Sequence, residues 1–507
     1  MSKSGLVTAR LRSGRDMELA IAGLVLTLML AGAGLFPGKG LIGYGHRAKP
    51  QLILGKDKMT RRNAVFVRVG LMKMSPRFCG PSELNATGRS VQRFFGQAPA
   101  EVTAERLPGN RAPSTELLSV QPPALPDGVF EVSLVCKSED LFDENRGIVA
   151  HTEWKGRVSE RPSWITVRLG GSIVLEAPVG LRIHGGSSRG GPMKSFAVVF
   201  REAYGGFDRS PPGLFFGPDT QGSREWLLMA AYESSQFNNA LATEMAGRLG
   251  CRVSRSAPAV LTMNGTEVLA PYFICEHQSP DFIENRYGLK DIDWYRLKGG
   301  KEPPESFIEW RRWQRRDRFI SLTEEAARFD LDDLCGWVLA MSFTSTTDND
   351  QGAYFRDRES PDSRWQTLSW DFDAAFNTGL YTHKGVTVDC SKQCFEILYG
   401  ERARLFFQLM EGSPEFRGYF RQFAETRLET QLNQKDALAL VERYRDLANG
   451  LPHVPGDIAE ALDASRRFIR DRHDRYRALL ADLMVRAEQG DAPYVFATEQ
   501  RSNRGSD

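Results

Sequence analysis

No Cys-x-x-Cys pair occurs in the 507 residues. The seven cysteines (Cys79, Cys136, Cys251, Cys275, Cys335, Cys390 and Cys394) are scattered. A structural zinc site needs about four convergent ligands, and the spacing of Cys390 and Cys394 has no second pair near it. The odd count fits a reducing compartment or an oxidising one with an unpaired thiol, so cysteine usage does not locate the chain. An excess of one charge sign is also missing. The 66 basic and 64 acidic side chains leave a formal charge of +2, which exerts no global pull on a polyanion. The basic stripe Arg311, Arg312, Arg315, Arg316 and Arg318 reads as a solvated helix face, and no nucleic-acid partner is expected. Internal repeats are absent too. What remains is an ordinary globular balance, 41% hydrophobic and 26% charged, able to bury a full core. At ~100–200 residues per domain the length allows two to four domains or one large two-lobed one.

Only the amino terminus carries a long apolar run. Residues 19–36 read LAIAGLVLTLMLAGAGLF, 18 residues without a charge, preceded by Lys3, Arg10, Arg12 and Arg15. A spanning helix needs ~20 apolar residues and at least ~17, whereas a signal peptide has a basic start and a shorter apolar stretch of ~7–15. The run sits between the two, and Ala31-Gly32-Ala33 offers a cleavage site. Residues 1–40 are therefore read as a signal peptide or a signal-anchor helix. Either reading places the rest outside the cytoplasm, membrane-anchored or secreted. Lys39, Arg47 and Lys49 follow the run, so charge bias orients it little.

Residues 41–125 are rich in Gly, Pro, Ser and Arg without sustained periodicity, and read as a partly disordered linker. A main domain spans 126–487 and a flexible tail 488–507. From 129 to 204 short β-branched and aromatic runs alternate with turn residues: VFEVSLV, SWITVRL, SIVLEA, GLRIH and SFAVVF, each a strand. A helix is expected over 236–248, stopped by Gly250. Asn264-Gly265 marks a hairpin turn between AVLTM and EVLAPYFICE. Ser279-Pro280-Asp281 opens a helix with a cap, proline at its first position and a negative charge in its first turn. A further helix covers 331–344, with Leu331, Leu334, Val338 and Met341 on one face. Residues 413–486 are almost wholly helical in character. Strands first and helices second define an α+β fold with two lobes.

Chemistry concentrates in two places. In 345–376, STTDNDQGAYFRDRESPDSRWQTLSWDFDAAF, residues 352–356 and 365–370 read as strands joined by a turn. Paired as a hairpin, they bring Asp348 and Asp350 beside Asp371 and Asp373. Four carboxylates at one end of a sheet repel unless a cation neutralises them. Hard oxygen ligands of this kind suit Mg2+ or Mn2+, particularly together with nucleotide phosphates. The aromatics of WDFD imply a packed strand end rather than a loose turn, where charges have partners. The second place is GLRIHGGSSRGGPMKSFAVVF, 180–200. Its glycines, Gly185 and Gly186 among them, let backbone N–H groups turn toward an anion, and Ser188 and Arg189 add donors. Lys194 stands where the next strand begins, in reach of bound phosphates. The pattern is neither a P-loop nor G-x-G-x-x-G, and a glycine-rich strand connection is commonly just a turn.

Together and in this order these segments resemble the CotH (spore coat protein H) kinase family, in its extracellular type, over about 130–485. DLFDENRG at 140–147 and ERP at 160–162 are similar to the family's first strands. GLRIHGGSSR with Lys194 resembles its Arg-x-x-Gly, Ser-Ser and Lys block, and WLLMAAY at 226–232 with Asn239 its next helix. Asn264-Gly265, Tyr272 and Glu276 resemble its hairpin. Asp348 with WDFD at 370–373 resembles its most specific signature, and FIRDRHDRYRALL at 468–480 its helical ending. The resemblance implies an atypical protein-kinase-like fold that moves the γ-phosphate of ATP to Ser or Thr of coat or surface proteins. It implies ATP and a divalent metal, Mg2+ or Mn2+, as cofactors, with a protein substrate as partner and the membrane reached through the amino-terminal segment. Lys194, with Arg182, Gly185, Gly186, Ser188 and Arg189, would hold the nucleotide and Glu276 would orient Lys194. Asp348 would be the catalytic aspartate, and Asp371 and Asp373 would hold the metal. Such roles agree with phosphoryl transfer, where positioning and charge neutralisation do most of the work.

The chain departs from the family pattern in two positions. Where an asparagine usually follows the catalytic aspartate as second metal ligand, the chain reads Asn349-Asp350-Gln351-Gly352, leaving that role to Asp350 or Gln351. Asn238 stands where an arginine often precedes the helix asparagine. These changes admit an alternative, a catalytically inactive kinase-like structural or binding protein of the cell envelope. A metal-dependent hydrolase or nuclease would use the same carboxylates but leave Lys194 beside a glycine-rich loop unexplained.

Overall fold

The computed structural model describes residues 125–492, apart from 192, 218–219, 232, 266–270, 299–301, 317–321 and 384–385, together with three earlier strands. The chain divides into two units, Met1–Ser90 and Val91–Asp507. In the first, β1 (Val7–Ala9), β2 (Gln51–Lys56) and β3 (Asn63–Arg68) form an antiparallel sheet with β3 in the middle. Strands β2 and β3 fall inside the stretch read as a linker. The apolar run at 19–36 lies outside the described residues, and so does most of the expected tail. Among the described residues no helix is long and apolar enough to cross a membrane.

In the second unit, period-two alternation builds a barrel. Along β6 (Ser172–His184), Leu175, Ala177, Val179, Leu181 and Ile183 are buried in one cluster while Arg182 and His184 lie on the other face, as a strand's geometry requires. The same alternation runs through β4 (Phe130–Cys136), β5 (Arg161–Leu169), β7 (Ser195–Val199), β8 (Glu225–Ala230), β9 (Ser256–Met263) and β10 (Pro271–Glu276). These strands close in the order β10-β8-β7-β6-β5-β4-β9. Closure comes from the parallel pair β4 and β9, with Phe130 opposite Ala259; the other pairs are antiparallel. A closed sheet leaves no edge strand to template aggregation.

Two expectations need correction here. SIVLEA and GLRIH form one strand, β6, running through Pro178. Pairing with β7 starts at Gly180, so Pro178 has β5 as its one neighbour, where a missing N–H is tolerated. WLLMAAY, aligned with a helix by resemblance, begins as strand β8, with Trp226, Leu228 and Ala230 turned into the barrel.

The remainder is mostly helical. Short α1 (Ser138–Phe142) follows β4. Helix α2 (Ser234–Arg248) ends as expected, with Gly250 at φ 99°. Asn264 and Gly265 adopt positive φ at the hairpin turn. In α3 (Pro280–Tyr287) the Ser279 side chain accepts from Phe282 N at 3.3 Å, the cap its sequence specified. Helices α4 (Glu305–Arg316) and α5 (Leu322–Ala326) lead to α6 (Leu331–Thr344). Burial of α6 runs all round from Asp333 to Thr344 rather than along one stripe, because α6 is a central helix packed by α2, α7 (Gly400–Gly412), α8 (Pro414–Thr430) and α10 (Asp457–Glu488). Helix α9 (Gln434–Gly450) packs on α2 and α10. A second core forms around α6, distinct from the barrel interior. It reaches the barrel's outer wall through Phe237 of α2, edge-on to Phe273 of β10 with ring centroids 5.3 Å apart.

Candidate active site

Strand β11 (Ile292–Arg296) pairs with β12 (Ala353–Asp357), and β12 with β13 (Gln366–Leu368), all antiparallel. The hairpin expected over 352–370 is therefore present, with Ala353 opposite Leu368. Gly352, at φ 146°, is required at its open end, since a Cβ there would lie 2.5 Å from Leu368 O. That open end carries Asp348 and Asp350 on one side and Asp371 and Asp373 on the other.

Three side chains fix the two sides. Asp333 of α6 accepts from Thr367 N (2.5 Å) and Thr367 Oγ1 (2.8 Å), pinning β13 to the central helix. Asn239 of α2 accepts from Phe372 N at 2.8 Å, holding the WDFD turn. Arg402 of α7, buried against Trp337 with its guanidinium 4.4 Å from the ring centroid, donates to Asn349 O and Gln351 O (3.1 Å each) and to Ser369 Oγ (2.8 Å). One side chain thus ties the 348–351 loop to the end of β13. Between these anchors Asp371 is held at φ 69°, an uncommon conformation for a residue with a Cβ.

The aspartates are not equivalent. Asp348 accepts from Lys298 Nζ (2.6 Å), Tyr399 Oη (2.9 Å) and Gln351 Nε2 (2.9 Å). Burial works to raise its pKa, but these three donors outweigh it and hold the carboxyl below its usual range. Asp371 is pushed up by burial and by the Asp348 charge, against the pull of Lys298. Asp373 is pushed up by burial, then by Asp371 and Asp348. It keeps more than a third of its surface exposed, and water moderates that push. Burial likewise raises Asp350, against the attraction of Arg402 and Lys298. One carboxyl held below its usual range therefore sits in a group with three that resist ionisation.

That imbalance tests the fit of a divalent cation. Magnesium is commonly held by one or two carboxylates plus phosphate oxygens and waters, and Asp371 with Asp373 supplies such a hard oxygen pair. The aspartates do not gather into a tight cage: among the described residues only His184, Glu225 and His277 bring ligand atoms within 4.8 Å of one another as a set of three. Gln351 donates its Nε2 to Asp348, and its Oε1 is the atom that could ligate. Asn349 is buried, with Nδ2 donating to Thr346 O and Ile397 O and Oδ1 accepting from Tyr399 N, so it shapes the loop.

The glycine-rich segment is placed differently from expectation. Gly185, at φ 117°, leads into a 3-10 turn at Ser187–Gly190, and a Cβ on Gly185 would lie 2.4 Å from Ser188 Oγ. Gly186 is open. Arg189 folds inward, donating to Gly185 O (2.7 Å), Thr152 O and Trp154 O (2.9 Å each). Lys194 is fully buried, its Nζ donating to Arg189 O (2.8 Å) and Gly191 O (2.7 Å), and burial lowers its pKa to about 8. Glu276 does not pair with it. Glu276 instead accepts from Arg255 N (2.6 Å) and Arg286 Nη1 (2.9 Å). Arg182 bonds Glu225. The cation paired with the catalytic-type aspartate is Lys298, just beyond β11.

Sequence reasoning missed Lys298, Tyr399 and Arg402. A strand-like WYRLK followed by Gly-Gly was a legible signal for Lys298. Tyr399 and Arg402 had none, since their roles depend on where α7 lands.

A family model described as CotH kinase protein matches residues 181–326 and 322–465, together more than half of the chain. The chain belongs to the CotH kinase protein family, and is a kinase-like protein. No curated protein matches it. Among solved structures, a crystal structure of the Helicobacter pylori proinflammatory kinase CtkA is 12% identical, covering 52% of this chain and 96% of that one, with a TM-score of 0.26. A likeness that low does not establish a shared fold.

Proposed function

We propose that this chain is an atypical, two-lobed kinase-like phosphotransferase that moves the γ-phosphate of ATP to Ser or Thr of surface or envelope proteins with Mg2+ or Mn2+. Family membership supports the reaction class, and the two separate buried cores support a two-lobed arrangement. The charge-free run at 19–36 supports export or anchoring. One observation carries the reading: Lys298, Tyr399 and Gln351 hold the Asp348 carboxyl below its usual range, while burial and like charge push Asp371 and Asp373 up, as carboxyls without a full cationic partner are pushed. In this reading Asp371 and Asp373 hold the metal, which neutralises phosphate charge. Asp348 orients the attacking hydroxyl and takes its proton, and Lys298, Gln351 and Tyr399 together hold its carboxyl below the usual range.

A second reading is favoured by one feature. Lys194 is bound by two backbone carbonyls and unpaired with Glu276, which fits a kinase-like binding protein without catalysis. Incubating the purified full chain with γ-labelled ATP and either metal decides between them. The expected result is incorporated label, lost in Asp348→Asn and Asp371→Asn. A parent chain that binds ATP but transfers no label supports the second reading, and one that does neither overturns the first entirely.

A further inference from the structure

Outside the aspartate site, three strand ends converge on the outer face of the barrel. His184 ends β6, Glu225 begins β8, and His277 follows β10. Strands β8 and β10 pair with Glu276 opposite Trp226, which sets His277 across from Glu225. Alternation turns all three side chains away from the barrel core, because Ile183 and Trp226 next to the first two, and Ile274 three residues before His277, fill it. Each is half-buried, and one ligand atom from each lies within 4.8 Å of the others. The two imidazole rings stand nearly perpendicular, with centroids 5.8 Å apart.

Glu225 is divided between two tasks. Its Oε2 accepts from Arg182, which fixes the carboxylate's orientation. Its Oε1 is buried without a hydrogen bond, 3.2 Å from His277 Nδ1. A buried carboxylate oxygen with no bond is costly unless something else satisfies it.

We propose that His184, Glu225 and His277 form a binding site for a divalent transition-metal ion of the zinc class. Two imidazoles and one carboxylate select such an ion over magnesium, whose ligands are all oxygen. Zinc takes these donors at ~2.0–2.2 Å, so a small inward movement of side chains already gathered within 4.8 Å completes the site. Arg182 serves as the outer partner that orients Glu225. Three protein ligands leave a fourth position for water or an anion. Because His184 directly precedes Gly185, the ion fastens the base of the glycine-rich connection to β8 and β10.

The test uses the full-length chain, stripped with a chelator and titrated with zinc against a chromophoric competitor. One equivalent is expected to bind. The double variant His184→Gln, His277→Gln is expected to bind it at least ~100-fold more weakly, since loss of even an outer partner costs about 10–100-fold. Asp371→Asn is expected to keep it. Cobalt in place of zinc is expected to give d–d absorption without thiolate charge transfer, which excludes the cysteines. If the double variant does not fold, the parent is treated with diethyl pyrocarbonate, where zinc is expected to protect His184 and His277. No competitive zinc binding, equal binding by a folded double variant, a thiolate spectrum, or no protection of these histidines would each overturn the site.

Discussion

Arg402→Met removes one buried side chain that spans both sides of the aspartate site. The guanidinium makes hydrogen bonds of 3.1 Å to Asn349 O, 3.1 Å to Gln351 O and 2.8 Å to Ser369 Oγ, and it lies 4.4 Å from the Trp337 ring centroid. Methionine fills much of the volume but leaves these acceptors unmet, at about 1–3 kcal/mol for each that stays buried and unsatisfied. Loss of the desolvated cation–π contact adds about 1–2 kcal/mol. Removing a buried charge returns part of its desolvation cost, which offsets several kcal/mol. The net is a destabilisation of about 2–4 kcal/mol, large for a single substitution. Urea unfolding of the full chain followed by tryptophan fluorescence measures it. ATP-dependent label transfer, run well below the unfolding midpoint, measures the loop separately, with at least a tenfold loss expected because a displacement of about 1 Å in positioned groups costs ~100-fold. Arg402→Lys should recover part of the stability and little of the transfer, since a lysine cannot bridge three acceptors in a plane. A methionine variant within about 0.5 kcal/mol of the parent, the scatter of neutral surface changes, and equally active would refute the view that Arg402 organises the site.

Two further perturbations read other parts of the structure. Glu325, fully buried under Trp310 Nε1 at 3.1 Å, has its pKa raised by burial to about 7. The unfolded chain then releases this proton at lower pH than the folded one, so stability is greatest below pH ~4.3, falls as pH rises to about 7, and levels off above it. Glu325→Gln should therefore raise the thermal midpoint at pH 8 and leave it unchanged near pH 4; equal effects at both would show that charge burial is not the cause. Lys298→Met removes the ammonium 2.6 Å from Asp348 Oδ1. Both partners are about half exposed, so water limits the pair to about 1 kcal/mol or less, that is, under about one pKa unit. The acid limb of the transfer rate should move up in pH by that amount, and an unmoved limb would show that Lys298 does not set the Asp348 charge.

Contiguous sequence determined the parts whose physics is local. The two strands at 352–370, separated by turn residues, pair as the expected hairpin, and Asp348 lies near enough to Asp371 and Asp373 to act on their charge, while Asp350 sits against Gly400 of α7. Ser279 with Pro280, Gly250, and Asn264 with Gly265 fixed their helix ends and turn through backbone preferences that no distant residue alters. Tertiary structure decided what crosses between segments. That β11 adds to the outer edge of β12 brings Lys298 to Asp348, across a separation of 50 residues. Lys194 was legible as a lysine at a strand start, but its amine turns to Arg189 O and Gly191 O because the 3-10 turn at Ser187–Gly190 presents those carbonyls to it. Closure of the barrel by β4 on β9 and the meeting of His184, Glu225 and His277 rest likewise on pairing between strands far apart in the chain. Turn and cap chemistry acts within a few residues and is written there, whereas strand order and side-chain partnership depend on which long-range contacts repay the entropy of closing the chain between them.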